Sequence, residues 1–208
     1  MKLLIAVPTL DFVHVDFMRC LVNLTNRLKD DGVCFDVCIV SGTLVYVARD
    51  RLACKAINEN YTHVLWLDSD MVFQPEVLYD LMDTGKDFVS GIYHARRSGF
   101  MSCIFKRCDD LNHLERFNEY PRDTFQIGGC GFGCVLVSVE MLRAVQMHFK
   151  TCFLPLRDFG EDIAFCNRAK ELGFKLWCEP TVRLGHIGHL TVWPDDEEKW
   201  KSNLFMEG

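Results

Sequence analysis

Residues 63–73 read HVLWLDSDMVF: four apolar residues in unbroken succession from Val64, then two carboxylates two positions apart. A continuous apolar run suits a strand buried on both faces of a parallel sheet, whereas a strand with one wet face would alternate. Asp68 and Asp70 follow at once. Side chains of an extended backbone repeat every two residues, so both carboxylates lean the same way where the chain stays extended. Two anions held together raise one pKa unless a cation joins them. The strand therefore predicts a positive partner at its carboxyl end.

Working outward, strand-like and helix-like stretches alternate. Residues 2–7 (KLLIAV) form a strand that stops at Pro8-Thr9. A helix over 14–30 places Phe17, Leu21, Leu24 and Leu28 on one stripe, with Gly32 beyond its end. A second strand covers 35–41 and a second helix 45–58, with Val45, Ala48, Leu52 and Ala56 inward. After the quoted strand, Pro75 opens a helix over 75–84, and DFVSGIY (87–93) is a fourth strand. Such alternation is the signature of βαβ units on a parallel sheet, where ligands bind beyond the carboxyl ends of the strands. Pro8-Thr9, Ser41-Gly42, Asp68/Asp70 and Gly91–Tyr93 are thus expected along one rim. The second half is less regular. Residues 94–127 read as loops with one short strand near 101–106, followed by a glycine-rich stretch and a strand, CVLVSV. A helix over 161–173 and a strand at 174–178 come next, and PDDEEKWK near the end reads as a solvated helix or a mobile tail.

The chain has 208 residues, 49% of them hydrophobic, enough for one core and one domain. Its net charge of −6 argues against a generic nucleic-acid binder, which needs a basic face to displace counterions. Eleven cysteines occur without any C-x-x-C, and Cys38, Cys54, Cys134, Cys166 and Cys178 fall inside apolar elements. They read as reduced core thiols of a cytoplasmic protein. The opening MKLLIAVPTL has one lysine and runs into Asp11 without a small-residue cleavage site, so it reads as a strand rather than a signal peptide. No stretch approaches the ~20 apolar residues of a membrane span.

Several groups carry chemistry. Asp68-Ser69-Asp70 offers oxygen ligands to a hard divalent cation. In GEDIAFCNRAKELGF (160–174), Glu161 and Asp162 open an amphipathic helix with Phe165, Ala169 and Leu172 inward. Acids in a first turn suit the helix dipole, and a helix N-terminus facing a cleft keeps a carboxylate ionised as a base requires. His186, in RLGHIGH (183–189), sits between glycines and is a candidate metal ligand. QIGGCGFGC (126–134) precedes a strand rather than opening a helix, so it is not a dinucleotide fingerprint. Close approach to a flat ligand and plain tight turns both remain open for it. Arg49 falls on the polar side of the second helix, near the rim, and could hold phosphate or face solvent. Arg96-Arg97 read as solvated surface charges.

A strand ending in Pro-Thr, an arginine on the second helix, an apolar strand into Asp-x-Asp, a glycine-rich stretch, Glu-Asp opening a helix and then Gly-His-x-Gly: this order resembles the family-two-like glycosyltransferases of the GT-A fold, from about residue 3 to 190. The resemblance implies a single α/β domain of GT-A type over 1–208, Rossmann-like, with a mostly parallel sheet flanked by helices. Residues 1–92 would form its nucleotide-binding half and 93–190 its acceptor and catalytic half, with a polar tail at 191–208. It implies transfer of a sugar from a nucleotide diphosphate sugar to a hydroxyl of a sugar, lipid or protein acceptor, with Mn²⁺ or Mg²⁺. Pro8, Thr9, Ser41 and Ser69 would line the donor site, with Arg49 near the diphosphate. Asp70 and His186 would ligate the metal, and Asp68 would reach the ribose or a metal-bound water. Asp162 would be the base of an inverting reaction, with Glu161 beside it to hold the acceptor. Gly128 and Gly129 would sit against the donor sugar. Two positions depart from the pattern: Ser41-Gly42-Thr43 stands where many relatives carry an aspartate, and Asp50 where asparagine is expected. VLWLDSDMV also fits a haloacid-dehalogenase-like phosphatase with Asp68 as nucleophile, although two βα units precede that strand here. A non-catalytic nucleotide-sugar-binding module is a third reading, and the presence of Asp68, Asp70, Asp162 and His186 together argues against it.

Overall fold

Apolar patterning lays out the first half of the chain. Strand β1 (Lys2–Pro8), helix α1 (Val15–Asp30), strand β2 (Cys34–Val40), helix α2 (Val45–Asn58) and strand β3 (His63–Leu67) follow in turn. The computed structural model describes residues 1–96, 101–108, 114–117, 119–156, 159–188, 190–194 and 200–204. The ends of α1 follow from its sequence. His14 Nδ1 accepts the Asp16 N–H, Asp16 complements the positive end of the dipole, and Arg27 and Lys29 complement the negative end. Strand β4 (Met71–Val72), helix α3 (Val77–Met82) and strand β5 (Phe88–Ile92) complete this half. Helix α3 is shorter than the sequence suggests, beginning two residues after Pro75.

The second half departs further from expectation. Where loops and one strand are expected, three short strands appear: β6 (Ile104–Arg107), β7 (Glu115–Arg116) and β8 (Phe125–Ile127). Strand β9 (Gly129–Cys130) falls within the glycine-rich stretch, and β10 (Cys134–Ser138) follows it. The apolar run of β10 then passes directly into helix α4 (Val139–Phe149), which sequence reading misses. Ser138 marks the junction, its Oγ accepting the Met141 N–H at 3.3 Å. Helix α5 (Glu161–Glu171), strand β11 (Leu176–Arg183) and strand β12 (Gly185–His186) come next. The expected polar tail carries instead an antiparallel pair, β13 (Leu190–Pro194) with β14 (Trp200–Leu204).

The seven-stranded sheet has the order β2-β1-β3-β10-β5-β11-β8. Strands β2, β1, β3, β5 and β11 run one way, and β10 and β8 run opposite. Two apolar layers cover it. Leu52, Ala56, Leu142, Val145, Phe165 and Ala169 from α2, α4 and α5 pack on one face. Phe17, Leu21, Leu24, Leu28, Leu78 and Leu81 from α1 and α3 pack on the other. The quoted strand feeds both: Val64 and Trp66 enter the first layer, Leu65 and Leu67 the second, all without solvent exposure. Each such side chain contributes roughly 1.5–3 kcal/mol through burial, which explains the unbroken apolar run. Val45 differs from expectation: in the first turn of α2 it lies at the rim and is exposed. No helix among the described residues is long and apolar enough to cross a membrane. None of the eleven cysteines forms a disulfide; six are buried and Cys34 is exposed.

Candidate functional site

The carboxyl ends of the parallel strands meet at one rim, as βαβ topology requires. The Thr9 N–H bonds Val40 O (2.9 Å), and the Gly42 N–H bonds Leu10 O (2.7 Å), which joins the turns after β1 and β2. Gly42 sits at φ +70°, where a side chain would be strained. Ser69 Oγ donates to Thr9 Oγ1 (3.1 Å), and the His14 N–H bonds Ser69 O (3.1 Å), so the turn after β3 is pinned to the same place. Between these turns lies a cleft of about 530 Å³ lined by Pro8, Thr9, Leu10, Phe12, His14, Asp68, Ser69, Asp70, Arg96 and His186, among others. Ser41 is exposed beside it but does not line it.

Asp70 and His186 come together through a ladder two residues long. Strand β12 pairs antiparallel with β4, setting His186 opposite Met71, and the Ile187 N–H bonds Asp70 O (2.9 Å). His186 Nδ1 lies 2.8 Å from the His94 carbonyl and can only donate there, which turns Nε2 toward Asp70 Oδ2 at 3.5 Å. Arg96, read from sequence as a surface charge, is exposed and at the same time reaches Asp70 Oδ2 (3.1 Å) and Ile187 O (2.9 Å). Its neighbour Arg97 lies outside the described residues. Burial alone would raise the Asp70 pKa, but His186 and Arg96 outweigh it and hold Asp70 below its ordinary value. Burial would lower His186, and the Asp70 carboxylate and His94 carbonyl raise it instead.

Asp68 faces a different cation. Arg49, expected on the polar side of α2, is 3% exposed and bridges Asp68 Oδ1 (2.8 Å) and Glu161 Oε1 (2.7 Å). Its guanidinium lies over the Phe132 ring at 5.3 Å. A charge buried this deeply needs partners, and these two carboxylates supply them. Burial raises the Asp68 pKa, against the opposing pull of Arg49. Glu161 and Asp162 open α5 behind Gly160, and Asp162 Oδ1 accepts the Ile163 N–H (2.7 Å). Burial, and then the Glu161 charge, push Asp162 up to about 6. Neither acid lines the cleft; Glu161 joins Asp68 through Arg49, and Asp162 lies within the field of the same guanidinium.

Tyr93 is a site neighbour that the sequence marks only as part of the rim. Its ring is buried and meets the His186 ring edge-on at 5.4 Å, and its hydroxyl accepts the Gly133 N–H (3.1 Å). A Cβ at Gly131 would fall 2.0 Å from Tyr93 Oη and 3.6 Å from Asp162 Oδ2, so Gly131 and Gly133 are the glycines that face the site. Gly128 and Gly129, expected against a bound sugar, pack elsewhere. A Cβ at Gly128 would meet Lys106 O at 2.6 Å, and one at Gly129 would meet Cys108 Sγ at 2.6 Å. Close approach of β6 and α5 requires that pair, whatever binds at the rim.

Four carboxylates (Asp68, Asp70, Glu161, Asp162) against two arginines (Arg49, Arg96) leave a surplus of two negative charges (−4 + 2 = −2). No group of three or more His, Cys, Asp or Glu among the described residues is arranged as a metal centre. Asp70 Oδ2 and His186 Nε2 nevertheless converge at a separation that two ligands ~2.1 Å from a common ion can span. A carboxylate and an imidazole whose other nitrogen is held by a carbonyl form a donor set suited to Mn²⁺, with positions left for phosphate oxygens.

No family model matches this chain, and no curated protein matches its sequence. Its likeness is to solved structures. A197 from STIV superposes with a TM-score of 0.62 at 17% identity, over 96% of this chain and 93% of A197. GalNAc-T7, whose crystal structure holds UDP, GalNAc and Mn²⁺, superposes with a TM-score of 0.50 at 12% identity, over 90% of this chain. The fold is GT-A-like. The chain spans 44% of GalNAc-T7, and the likeness at this identity is one of fold.

Proposed function

We propose that the chain is a metal-dependent glycosyltransferase that moves a sugar from a nucleotide diphosphate sugar to an acceptor hydroxyl, with inversion. One observation carries this reading. Arg49 ties Asp68, at the end of the central strand, to the Glu161-Asp162 pair, so a cation-seeking cluster and a carboxylate with a near-neutral pKa share one rim of a GT-A-like sheet. Pro8, Thr9 and Ser69 hold the nucleoside, with Ser41 at the margin. Arg96, hinged to Ile187 O, sets its positive charge beside the diphosphate. Arg49 is a positioning residue in this reading, fixing Asp68 and Glu161 rather than touching phosphate. Asp162 takes the proton of the acceptor hydroxyl. With a pKa of about 6 it is ionised at neutral pH yet basic enough to be effective. Glu161 orients the acceptor, and the missing Cβ of Gly131 makes room for Tyr93 Oη close to Asp162. Asp70 and His186 would hold a divalent ion, which offsets the charge that develops on the departing diphosphate.

A phosphatase reading needs Asp68 as a free nucleophile, and the Arg49 bond to Asp68 Oδ1 disfavours it. The test is a thermal-shift panel of nucleoside diphosphates and nucleotide sugars with and without Mn²⁺. A ligand that binds only the native state raises the midpoint by mass action. The transferase reading expects a shift for at least one nucleoside diphosphate that requires the metal. Rapid hydrolysis of an aryl phosphate, lost in Asp68→Asn and unchanged in Asp162→Asn, would favour the phosphatase.

A further inference from the structure

Among the described residues, strand β2 forms one edge of the seven-stranded sheet and pairs only with β1. Its Val40 carbonyl faces β1, accepting the Thr9 N–H. Peptide groups alternate in direction along a strand, so Phe35, Val37 and Ile39 turn theirs outward. No described residue bonds those outward groups. The edge is lightly protected: CFDVCIV carries one charge, Asp36, and contains no proline, lysine or bulge, and all seven residues stay in register with β1.

The flank of this edge is apolar. Val37 and Ile39 are 37% and 45% exposed, on the face that carries α1. Helix α1 buries one stripe, and a second stripe, Val15, Met18 and Val22, is 37–67% exposed at helical spacing. Cys20, whose thiol accepts the Phe73 N–H, marks the flank of α1 turned toward β4. The exposed stripe lies on the other flank, beside β2.

We propose that β2 pairs antiparallel with the β2 strand of a second copy of this chain, about a two-fold axis through Val37. The strand fits itself in that register. Phe35 meets Ile39 of the partner subunit and Val37 meets its own copy, so all six outward peptide groups of the two Phe35, Val37 and Ile39 sets are bonded. Asp36, the one charge in the strand, meets Cys38 of the partner subunit rather than another aspartate. The two α1 stripes approach across the same axis and cover the exposed Val37 and Ile39 side chains. An anionic membrane is a poor occupant for this face, given Asp36 on the edge and a net charge of −6.

Sedimentation over the micromolar range tests this. The native chain is expected to run at twice 24.0 kDa. Val37→Pro removes an outward N–H that β1 does not use, a change edge strands tolerate, and is expected to give a monomer with native circular dichroism. Ile39→Lys is expected to do the same through charge, which keeps the test open should the proline variant misfold. Val37→Cys brings two thiols across the axis at a Cα separation of ~5.5 Å, within disulfide range. Mild oxidation is expected to link it into a dimer that the native chain does not form. A native chain that stays monomeric throughout, a dimer that survives both Val37→Pro and Ile39→Lys, or no added link in Val37→Cys overturns the proposal.

Discussion

Asp162→Asn is expected to stabilise the protein while abolishing transfer, and the two effects have one cause. The Asp162 carboxyl is pushed from 3.8 up to about 6, first by burial and then by Glu161 beside it. The native state therefore holds this proton more tightly than the unfolded chain does. By linkage, the contribution of Asp162 to stability is greatest below 3.8 and is lost as pH rises through about 6. A gap of roughly two units is worth about 3 kcal/mol above both values, and about 1 kcal/mol near pH 4.5. Asparagine has the same shape, never ionises, and its Oδ1 can still accept the Ile163 N–H. The variant should gain at most about 3 kcal/mol near pH 7.5, or roughly 6–12 °C in Tm for a chain of this size. Urea unfolding at both pH values measures the gain, and a nucleotide-sugar transfer assay measures the loss, about 10²–10⁴-fold for a removed general base. Glu161→Gln should lose less activity. An Asp162→Asn protein less stable than native near neutral pH, or a gain equal at both pH values, would refute the burial argument. Transfer at the native rate would refute Asp162 as the base.

Nucleoside diphosphate binding measured by calorimetry should require Mn²⁺ or Mg²⁺, and Asp70→Asn should remove the requirement along with most of the affinity; equal affinity with and without metal counts against the Asp70–His186 pair. Arg49→Met leaves the half-buried Asp68 and Glu161 without their cation, and urea unfolding should show a loss of about 1–3 kcal/mol. Gly131→Ala should lower Tm because its Cβ would lie 2.0 Å from Tyr93 Oη, and adding Tyr93→Phe should recover part of that loss. If the double variant is no more stable than Gly131→Ala alone, the steric account fails.

The parallel half of the fold was legible because each strand there is an apolar block and each helix carries its own stripe and ends. Strand β10 and helix α4 were not, since one apolar run serves both and only Ser138 divides them. The rim followed from topology alone, and so did the placement of Asp68, Asp70 and Thr9. The burial of Arg49 was not legible, since a lone arginine between apolar helix residues fits a phosphate contact and a solvated charge equally. Its partners lie 19 and 112 residues away, a separation no local pattern encodes. Arg96 is exposed, as its sequence suggests, but its partner Ile187, 91 residues distant, was hidden for the same reason. Four glycines in one stretch announced close packing without saying against what. Gly128 and Gly129 met strand β6 and helix α5, while Gly131 met the site.

The ladder of β4 with β12 has a consequence for how the molecule comes apart. Two residue pairs, the Ile187 N–H bond, the His94 carbonyl and the Arg96 bridge fasten His186 beside Asp70, and the segment bearing His186 follows the last parallel strand of the main sheet. So short a seam opens at far less free energy than the sheet behind it. A ligand spanning Asp70 and His186 would act as a clasp between early and late parts of the chain, adding to the few contacts of this seam. Amide exchange at Ile187 should therefore be fast in the empty protein and slow sharply on ligand binding, while exchange in β3 barely changes.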